Sequence, residues 1–291
     1  MENIINYYYD FYPKTINKMY GGFYFENSNS SYLLVELKTN QKYILNIYEL
    51  LMQNGINNYI IVYNKDNNLV THHNNKEYIL FIINCKASDV LRFDEQFFIP
   101  VNYNINWSKM WSERIDYYEI QINELAQDKK LVLHSVYYYI GLAENAVYIA
   151  GIYEKNVSGE CSIQHYRMHV PVIKGEYYNP NNMLIDVTIR DIAEYIKSSF
   201  FLEKRDNNYY VDYIKTLFLT DLTANLLLAR LLYPSYYFDL FDEIILNDYS
   251  ETELLSIIDR QKDYEIFLKQ IYMEMSINYK IININWLKKE L

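Results

Sequence analysis

The apolar positions of this chain change period about a third of the way along. Residues 21–25 and 32–37 read as two strands, joined by a polar turn at 27–30. Residues 42–53 carry Ile44, Tyr48, Leu51 and Met52 at helical spacing, and Gly55 supplies a stop. Strands are expected again over 59–63 and 78–84, with the Asn-rich stretch 64–68 turning after the first. From about residue 106 the steps become four and three. Trp107, Trp111, Ile115, Tyr118, Ile122 and Leu125 form one face of an amphipathic helix. Further helices are expected over 134–152, 191–200, 210–232 and 252–275. The last two rest on Ile214, Phe218, Leu222, Leu226 and Ala229, and on Leu254, Ile258, Phe267, Ile271 and Met275. The fold class is therefore α+β, with a small β-rich part over residues 1–100 and a mainly helical part over 101–291. No internal repeat is visible.

Composition narrows the function classes. The chain has 291 residues, half of them hydrophobic and 22% charged, which suits two lobes or domains and excludes a disordered chain. The net charge of −10 argues against nucleic acid or an anionic membrane as the main partner, since either needs clustered Lys and Arg. No run approaches the ~18–20 apolar residues of a membrane span. The start, Met1-Glu2-Asn3-Ile4-Ile5-Asn6, has no basic-then-apolar signal pattern, so a signal peptide is not expected. Cys85 and Cys161 are too few for a zinc site built from cysteines alone and read as small buried residues. The 34 tyrosines fit an AT-rich coding bias. With only seven glycines there is no G-x-G-x-x-G or Walker A loop, and Gly21-Gly22 alone could begin a phosphate-approaching turn.

Three segments carry a resemblance. They are Tyr139-Ile140-Gly141-Leu142-Ala143-Glu144-Asn145-Ala146, Ile185-Asp186-Val187-Thr188-Ile189-Arg190-Asp191-Ile192-Ala193-Glu194-Tyr195-Ile196, and Ala229-Arg230-Leu231-Leu232-Tyr233-Pro234-Ser235-Tyr236-Tyr237-Phe238. In order and spacing they resemble the CotS/YutH-type spore coat proteins, relatives of the aminoglycoside and choline kinases. The resemblance covers roughly the last two-thirds of the chain. It implies a kinase-like, aminoglycoside-phosphotransferase-like fold with a small N-terminal β-rich lobe and a larger helical C-terminal lobe.

Phosphotransfer on such a fold needs a Lys for the phosphates, a catalytic Asp, and an Asn and a second Asp for magnesium. The family's His-x-Asp-x-x-x-x-Asn loop fits in two registers. Starting at His165-Tyr166-Arg167 puts Arg167 at the Asp position, and a guanidinium cannot accept a proton. Matching Pro180-Asn181-Asn182-Met183-Leu184-Ile185-Asp186 keeps Asn182 and Asp186 but puts Tyr177 at the Asp position and Gly175 at the His position. Neither register supplies a base. Asp186 reads either as the magnesium Asp or as the acid preceding the Arg-Asp-Ile helix, and its short spacing to Asp191 favours the latter. Asp191 matches a helix-start Asp that braces the loop, or reads as an ordinary N-cap, and is structural either way. Lys38 is the nearest phosphate-holding Lys, with Glu49 as its partner, against the plainer reading of a solvated strand end.

Other groupings add little. His72-His73 reads as an exposed loop, and His165 with His169 lacks a third metal ligand. The expected function is therefore non-catalytic: a spore-coat-associated, kinase-like protein that binds other coat proteins. By the resemblance it is made in the mother-cell cytoplasm and then joins the coat. The alternatives are an ATP-dependent small-molecule phosphotransferase, or a pseudokinase whose retained nucleotide site would take ATP and Mg2+ at Lys38, Asn182 and Asp186. The Tyr233–Phe238 aromatics, released by Pro234 from the preceding helix, are the expected docking loop.

Overall fold

A computed structural model describes residues 1–92, 95–157, 159–203, 205–247 and 249–288. The chain forms two compact units, Met1–Pro100 with Ser162–Ile185, and Val101–Cys161 with Asp186–Leu291. The segment 162–185 thus groups with the first hundred residues.

The first unit is built on an antiparallel sheet. Its strands are β1 (Asn17–Met19), β2 (Gly22–Asn27), β3 (Ser30–Glu36), β4 (Tyr59–Val62), β5 (Thr71–His73) and β6 (Lys76–Ile83), in the order β1-β2-β3-β6-β4 with β5 also on β6. Leu33, Leu34 and Val35 on β3 are all buried because both sheet faces are covered. Leu34, Tyr78, Leu80 and Phe25 pack with Ile4, Ile5 and Tyr9 of helix α1 (Glu2–Tyr9). Phe81, one register position on from Leu80, meets Tyr48 of α2 (Gln41–Gln53). Alternate residues of a strand face opposite ways, so an unbroken apolar run is what a doubly covered strand needs. Asn40 caps α2 by accepting from the Tyr43 amide at 2.9 Å.

The hairpin, α2 and the strands near 59–62 and 76–83 match the sequence expectation. Helix α1 and strand β1 are additions to it. The His72-His73 pair is a correction: it lies in β5, where Thr71 accompanies it into the ladder against Lys76–Tyr78. His72 remains exposed and His73 half-buried.

The second unit is helical: α3 (Trp107–Leu125), α4 (Lys130–Tyr153), α6 (Arg190–Glu203), α7 (Asn207–Lys215), α8 (Asp221–Leu232), α9 (Ser235–Leu246), α10 (Leu255–Ile258) and α11 (Gln261–Asn278). Two strands, β7 (Cys161–His165) and β8 (Met183–Val187), pair with each other, and the division between units falls within both. A short helix α5 (Lys174–Tyr177) and a 3-10 turn at Pro180–Asn182 connect them. α8 is the core helix, with every residue from Thr223 to Leu232 buried. The apolar stripe of α3 packs inside this unit from Trp107 through Trp111, Ile115 and Tyr118 to Ile122, all buried, but Leu125, expected on the same face, is exposed at the helix end.

Two long helices of the sequence reading are each broken. The span 210–232 splits at 216–220, where Thr220 and Thr223 form a reciprocal capping box that starts α8. The span 252–275 becomes a 3-10 turn at Glu251–Leu254, then α10 and α11. A third correction concerns Tyr233–Phe238. Pro234 does end α8, but it also begins α9, so the aromatics are helical. Tyr233, Tyr237 and Phe238 are buried, with Tyr237 stacked on Tyr139 at 3.9 Å and Phe238 on Tyr118 at 4.3 Å. Tyr236 is half-buried against Phe201 at 4.2 Å. Proline fits a first helical turn as readily as it ends one, and a run this rich in aromatic residues gains more from burial than from display.

Candidate functional site

The first unit contains a cavity of about 240 Å3 among residues that the sequence pointed to. Lys38, His165, Arg167, His169, Glu176, Tyr177 and Asn182 line it, with Gly21 at one side. The Asn179-Pro180-Asn181-Asn182 run builds its wall. Asn179 caps the 3-10 turn through the Asn181 amide at 3.0 Å, and its Nδ2 donates to the Tyr20 carbonyl at 2.9 Å. Asn181 Nδ2 donates to the Glu36 carbonyl at 2.9 Å, and its Oδ1 accepts from the Lys38 amide at 3.3 Å. The end of β3 and the Tyr20-Gly21 turn are thereby tied to one short asparagine run. Gly21 has a positive φ of 77°, and a Cβ there would stand 3.0 Å from Asn182 Oδ1. Only glycine lets the turn come this close.

Asn182 is held at both ends of its amide. Its Oδ1 accepts from Lys38 Nζ at 2.9 Å, and its Nδ2 donates to the Glu176 carbonyl at 3.2 Å. Protein crowding around the Lys38 ammonium lowers its pKa from the ordinary lysine value, while the nearby Glu176 carboxylate opposes that shift. Glu49, the other partner considered for Lys38, is exposed on α2 and lines a separate groove.

Both base positions are accounted for. Arg167 is half-buried, and its NH1 donates to the Tyr166 carbonyl at 2.7 Å. Tyr177 is buried, its hydroxyl accepts from the Phe97 amide at 3.3 Å, and its ring stacks on His165 at 4.4 Å. Gly175, at the histidine position of the second register, has no room for a side chain. A Cβ there would stand 2.7 Å from the Tyr20 ring and 3.0 Å from the Ala87 carbonyl. His165 is buried, and its Nε2 faces the Tyr177 carbonyl at 2.8 Å, so that nitrogen carries its proton. Among the described residues no three His, Cys, Asp or Glu side chains gather as metal ligands.

Asp186 and Asp191 belong to the second unit. Asp186 is 3% exposed, and its Oδ2 accepts from Arg190 NH1 at 2.6 Å and Trp107 Nε1 at 3.1 Å. Its Oδ1 accepts from the Val187 amide at 2.8 Å. Both oxygens are therefore committed to donors of the protein. Asp191 is the second residue of α6, inside its first turn rather than before it, where a carboxylate suits the positive end of the helix dipole.

A buried polar network, which the sequence did not announce, fills this unit. Glu194 Oε1 accepts from Lys197 Nζ at 2.7 Å and Arg230 Nε at 2.9 Å. Lys197 Nζ also donates to Ser235 Oγ at 2.7 Å and to the carbonyls of Arg230 at 3.2 Å and Tyr233 at 3.3 Å. The Arg230 guanidinium lies over Trp107 at 5.4 Å and Trp111 at 5.6 Å. Glu194, Lys197 and Arg230 are all under 5% exposed.

The comparisons with known proteins bear on both units. The sequence profile described as "Spore coat putative kinase YutH" matches residues 95–271, more than half of the chain. The chain belongs to the YutH family of spore coat proteins. The Bacillus subtilis endospore coat-associated protein YutH is 28% identical over 209 residues, which cover 63% of this chain. The match spans 61% of that relative's length, short of two-thirds. Among solved structures, an aminoglycoside phosphotransferase from Alicyclobacillus acidocaldarius superposes with a TM-score of 0.60 at 9% identity, covering 93% of this chain and 95% of its own. A spectinomycin phosphotransferase in complex with ADP and spectinomycin gives 0.55 at 11% identity, covering 94% and 97%. At these identities the likeness is one of fold. YutH-family membership and the aminoglycoside-phosphotransferase-like fold, with its small antiparallel N-lobe and larger helical C-lobe, agree with the sequence reading.

Proposed function

We propose that this YutH-family chain is a coat-associated protein that does not transfer phosphate and acts by binding other coat proteins. The state of the cavity supports the non-catalytic half of this reading. Neither Arg167 nor Tyr177 can take a proton from an attacking hydroxyl at neutral pH, and the Asn182 oxygen that would meet a magnesium ion faces the Lys38 ammonium instead. A cation at that oxygen would lie against a second positive charge. Asp186, with both oxygens engaged by Arg190, Trp107 and Val187, is read as the brace of α6 rather than a metal ligand. Loss of a general base alone costs about 10²–10⁴-fold in rate.

The test is ADP formation by the purified chain with magnesium and ATP, over a panel of amine- and hydroxyl-bearing acceptors. No turnover is expected; magnesium-dependent turnover abolished by Asn182→Ala would overturn the reading. Coat association draws its support from the family and from the endospore-coat relative. A fluorescent fusion followed through sporulation should leave the mother-cell cytoplasm and ring the forming spore. Uniform signal to the end of sporulation would remove the coat assignment and the coat partners with it. Among the described residues no helix is long and apolar enough to cross a membrane.

A further inference from the structure

Another open space in the first unit shares no lining residue with the cavity around Lys38. It is a trough of about 1190 Å3 between one face of α2 and the loop from Tyr63 to His72. Lys42, Leu45, Asn46 and Glu49 stand at helical spacing and line it from α2. The loop opposite is held in shape by the buried Asn64. Its Oδ1 accepts from the Asp66 amide at 3.1 Å and the Asn68 amide at 2.9 Å, and its Nδ2 donates to Thr71 Oγ1 at 3.0 Å. Asn67 takes a φ of 61°, the left-handed conformation that asparagine tolerates. The wall is thus set before any ligand arrives, which lowers the cost of binding.

Asn64, Asn179, Asn181 and Asn182 each use both ends of their amides within the fold. The side-chain amides of Gln41, Asn46, Asn67 and Asn68, which line the trough, bond to no described residue. Each offers N–H donors and a carbonyl acceptor. Tyr63 joins them, 57% exposed, with its ring on no other ring and its hydroxyl on no described residue. The half-buried Leu45 and Leu69 and the buried Val70 add an apolar lining. Lys42 and Glu49 are of opposite sign, and His72 has the Glu77 carboxylate at 3.6 Å. The charge therefore selects neither an anion nor a cation. The matching ligand is neutral, rich in paired donors and acceptors, and carries small apolar groups. Hydroxyls and acetamides bond to side-chain amides in both directions, an acetamide methyl suits the apolar lining, and a pyranose lays its C–H face on an open aromatic ring. We propose that this trough binds a neutral glycan of N-acetylhexosamine units. Its volume exceeds the ~300–1,000 Å3 of a site for one drug-sized molecule, which leaves room for successive sugar rings. A peptide held in a groove seats an apolar face or a proline-rich run in an apolar channel, whereas open amides outnumber aliphatic side chains here. The inference goes beyond the protein-binding reading and depends on neither base position.

The experiment is a ligand-observed NMR titration of the full chain with the β-1,4-linked tetramer of N-acetylglucosamine. Saturable one-to-one binding is expected, with saturation transfer strongest at the acetamide methyls. Cellotetraose, which has the same linkage and ring faces without acetamides, should bind at least tenfold more weakly. Tyr63→Ala should weaken the acetylated tetramer at least tenfold, and the paired change Asn46→Ala with Asn68→Ala by a similar factor. All three side chains are exposed, so these variants are expected to fold with an unchanged melting temperature. Tyr148→Ala, which removes a comparably exposed tyrosine from α4 in the other unit, should leave the affinity as it is. A tetra-alanine peptide with acetylated and amidated ends is the third arm. Peptide binding as tight as that of the glycan would assign the trough to extended peptide and overturn the proposal. Equal binding of the two sugars, binding of neither, or wild-type affinity in folded Tyr63→Ala would also overturn it. None of these outcomes touches the phosphotransfer assay, so this inference and the proposed function fail separately.

Discussion

Two runs of the chain, the 165–182 stretch searched for catalytic groups and the 186–235 stretch that holds most of two family-like segments, have polar groups with opposite surroundings. In the first, Arg167, Glu176 and Asn182 face a water-accessible cavity together with Lys38. In the second, Asp186, Arg190, Glu194, Lys197 and Arg230 are at or under 5% exposed and bonded to one another or to Trp107, Ser235 and backbone carbonyls. The motif stretches most legible as family features are thus the interior of a helical unit. Buried ions must be paired closely to be tolerated, which constrains residue type and spacing as strictly as catalysis would. A preserved motif therefore identifies the fold without implying the chemistry. The positions at which the two sequence registers look for a base, Arg167 and Tyr177, lie in the first run.

The largest expected contrast between the units is alkaline. Burial raises the pKa of Tyr118, Tyr138, Tyr139, Tyr236, Tyr237 and Tyr264 in the second unit, and in the first unit that of Tyr9, Tyr20, Tyr24, Tyr59, Tyr78 and Tyr178, with Tyr59 well above the ordinary value and Tyr178 pushed up to about 12. Their folded pKa values lie above the unfolded value near 10, so their stabilisation is complete below pH 10 and is lost as pH rises beyond it. Each such tyrosine costs up to about 1.4 kcal/mol per pH unit in that window. Several together should unfold the helical unit before pH 12. Lys38 works in the opposite sense, because its folded pKa is lowered, but it is one group against many. Trp107, Trp111 and Trp286 all lie in the second unit, so tryptophan emission reports that unit alone. A red shift between pH 10 and 12 is expected. Unchanged emission alongside rising phenolate absorbance would mean that these tyrosines ionise within an intact fold.

Removing one buried charge tests the network directly. Glu194→Ala leaves Lys197 and Arg230 without their shared carboxylate, and should cost about 4 kcal/mol in denaturant unfolding. Glu194→Gln, which keeps an acceptor oxygen, should cost less. A loss under ~1 kcal/mol for the alanine variant would mean that water enters and solvates the two cations, and the contrast between the units would fail.

Asp186→Ala should cost somewhat less, about 3 kcal/mol, by removing the carboxylate that Arg190 and the Trp107 indole N–H share. This variant separates the two roles between which the sequence could not choose. A bracing residue lowers the melting temperature whether or not nucleotide is present. A magnesium ligand would leave melting intact and abolish magnesium-dependent nucleotide binding. The second outcome would transfer Asp186 from the interior of its unit to a reactive site.

Much of the architecture could be read from local pattern: the hairpin, α2 and α3 follow from strand and helix spacing and from the turn between the strands. What could not be read were boundaries set by reciprocal side-chain bonds. Thr220 and Thr223 interrupt an apolar pattern that continues across them, because a capping box competes with helix continuation without disturbing hydrophobic phase. The site was half legible. Lys38, Arg167, Tyr177 and Asn182 were named from the sequence and line one cavity, because register along a loop survives folding. The contact from Lys38 Nζ to Asn182 Oδ1 spans 144 positions and leaves no local pattern. Burial of Lys197 and Arg230 was equally hidden, since charged residues default to the surface and their pairing is set by helix packing.

The smallest effect expected is also the one that bears on how the chain meets a partner. Tyr237 was a docking candidate from its aromatic, proline-led context, yet it is buried, stacked on Tyr139 and hydrogen-bonded to Ser135 Oγ at 2.8 Å. Ser135 also donates to the Leu131 carbonyl at 2.7 Å, so its one proton is committed there and Tyr237 must be the donor of the pair. Tyr237→Phe keeps the ring stack and removes only that donor, leaving one Ser135 lone pair unmet. The cost should be about 1 kcal/mol, read as a lower midpoint in denaturant with an unchanged slope. Tyr237→Ala, which removes the ring, should cost roughly 3–5 kcal/mol by the cavity it leaves. If the residue serves only the interior, the Phe variant goes to the spore like wild type while the Ala variant fails in proportion to its instability. A Phe variant that is stable yet fails to reach the spore would show that the hydroxyl is read by a partner, and would return this segment to the surface of the molecule.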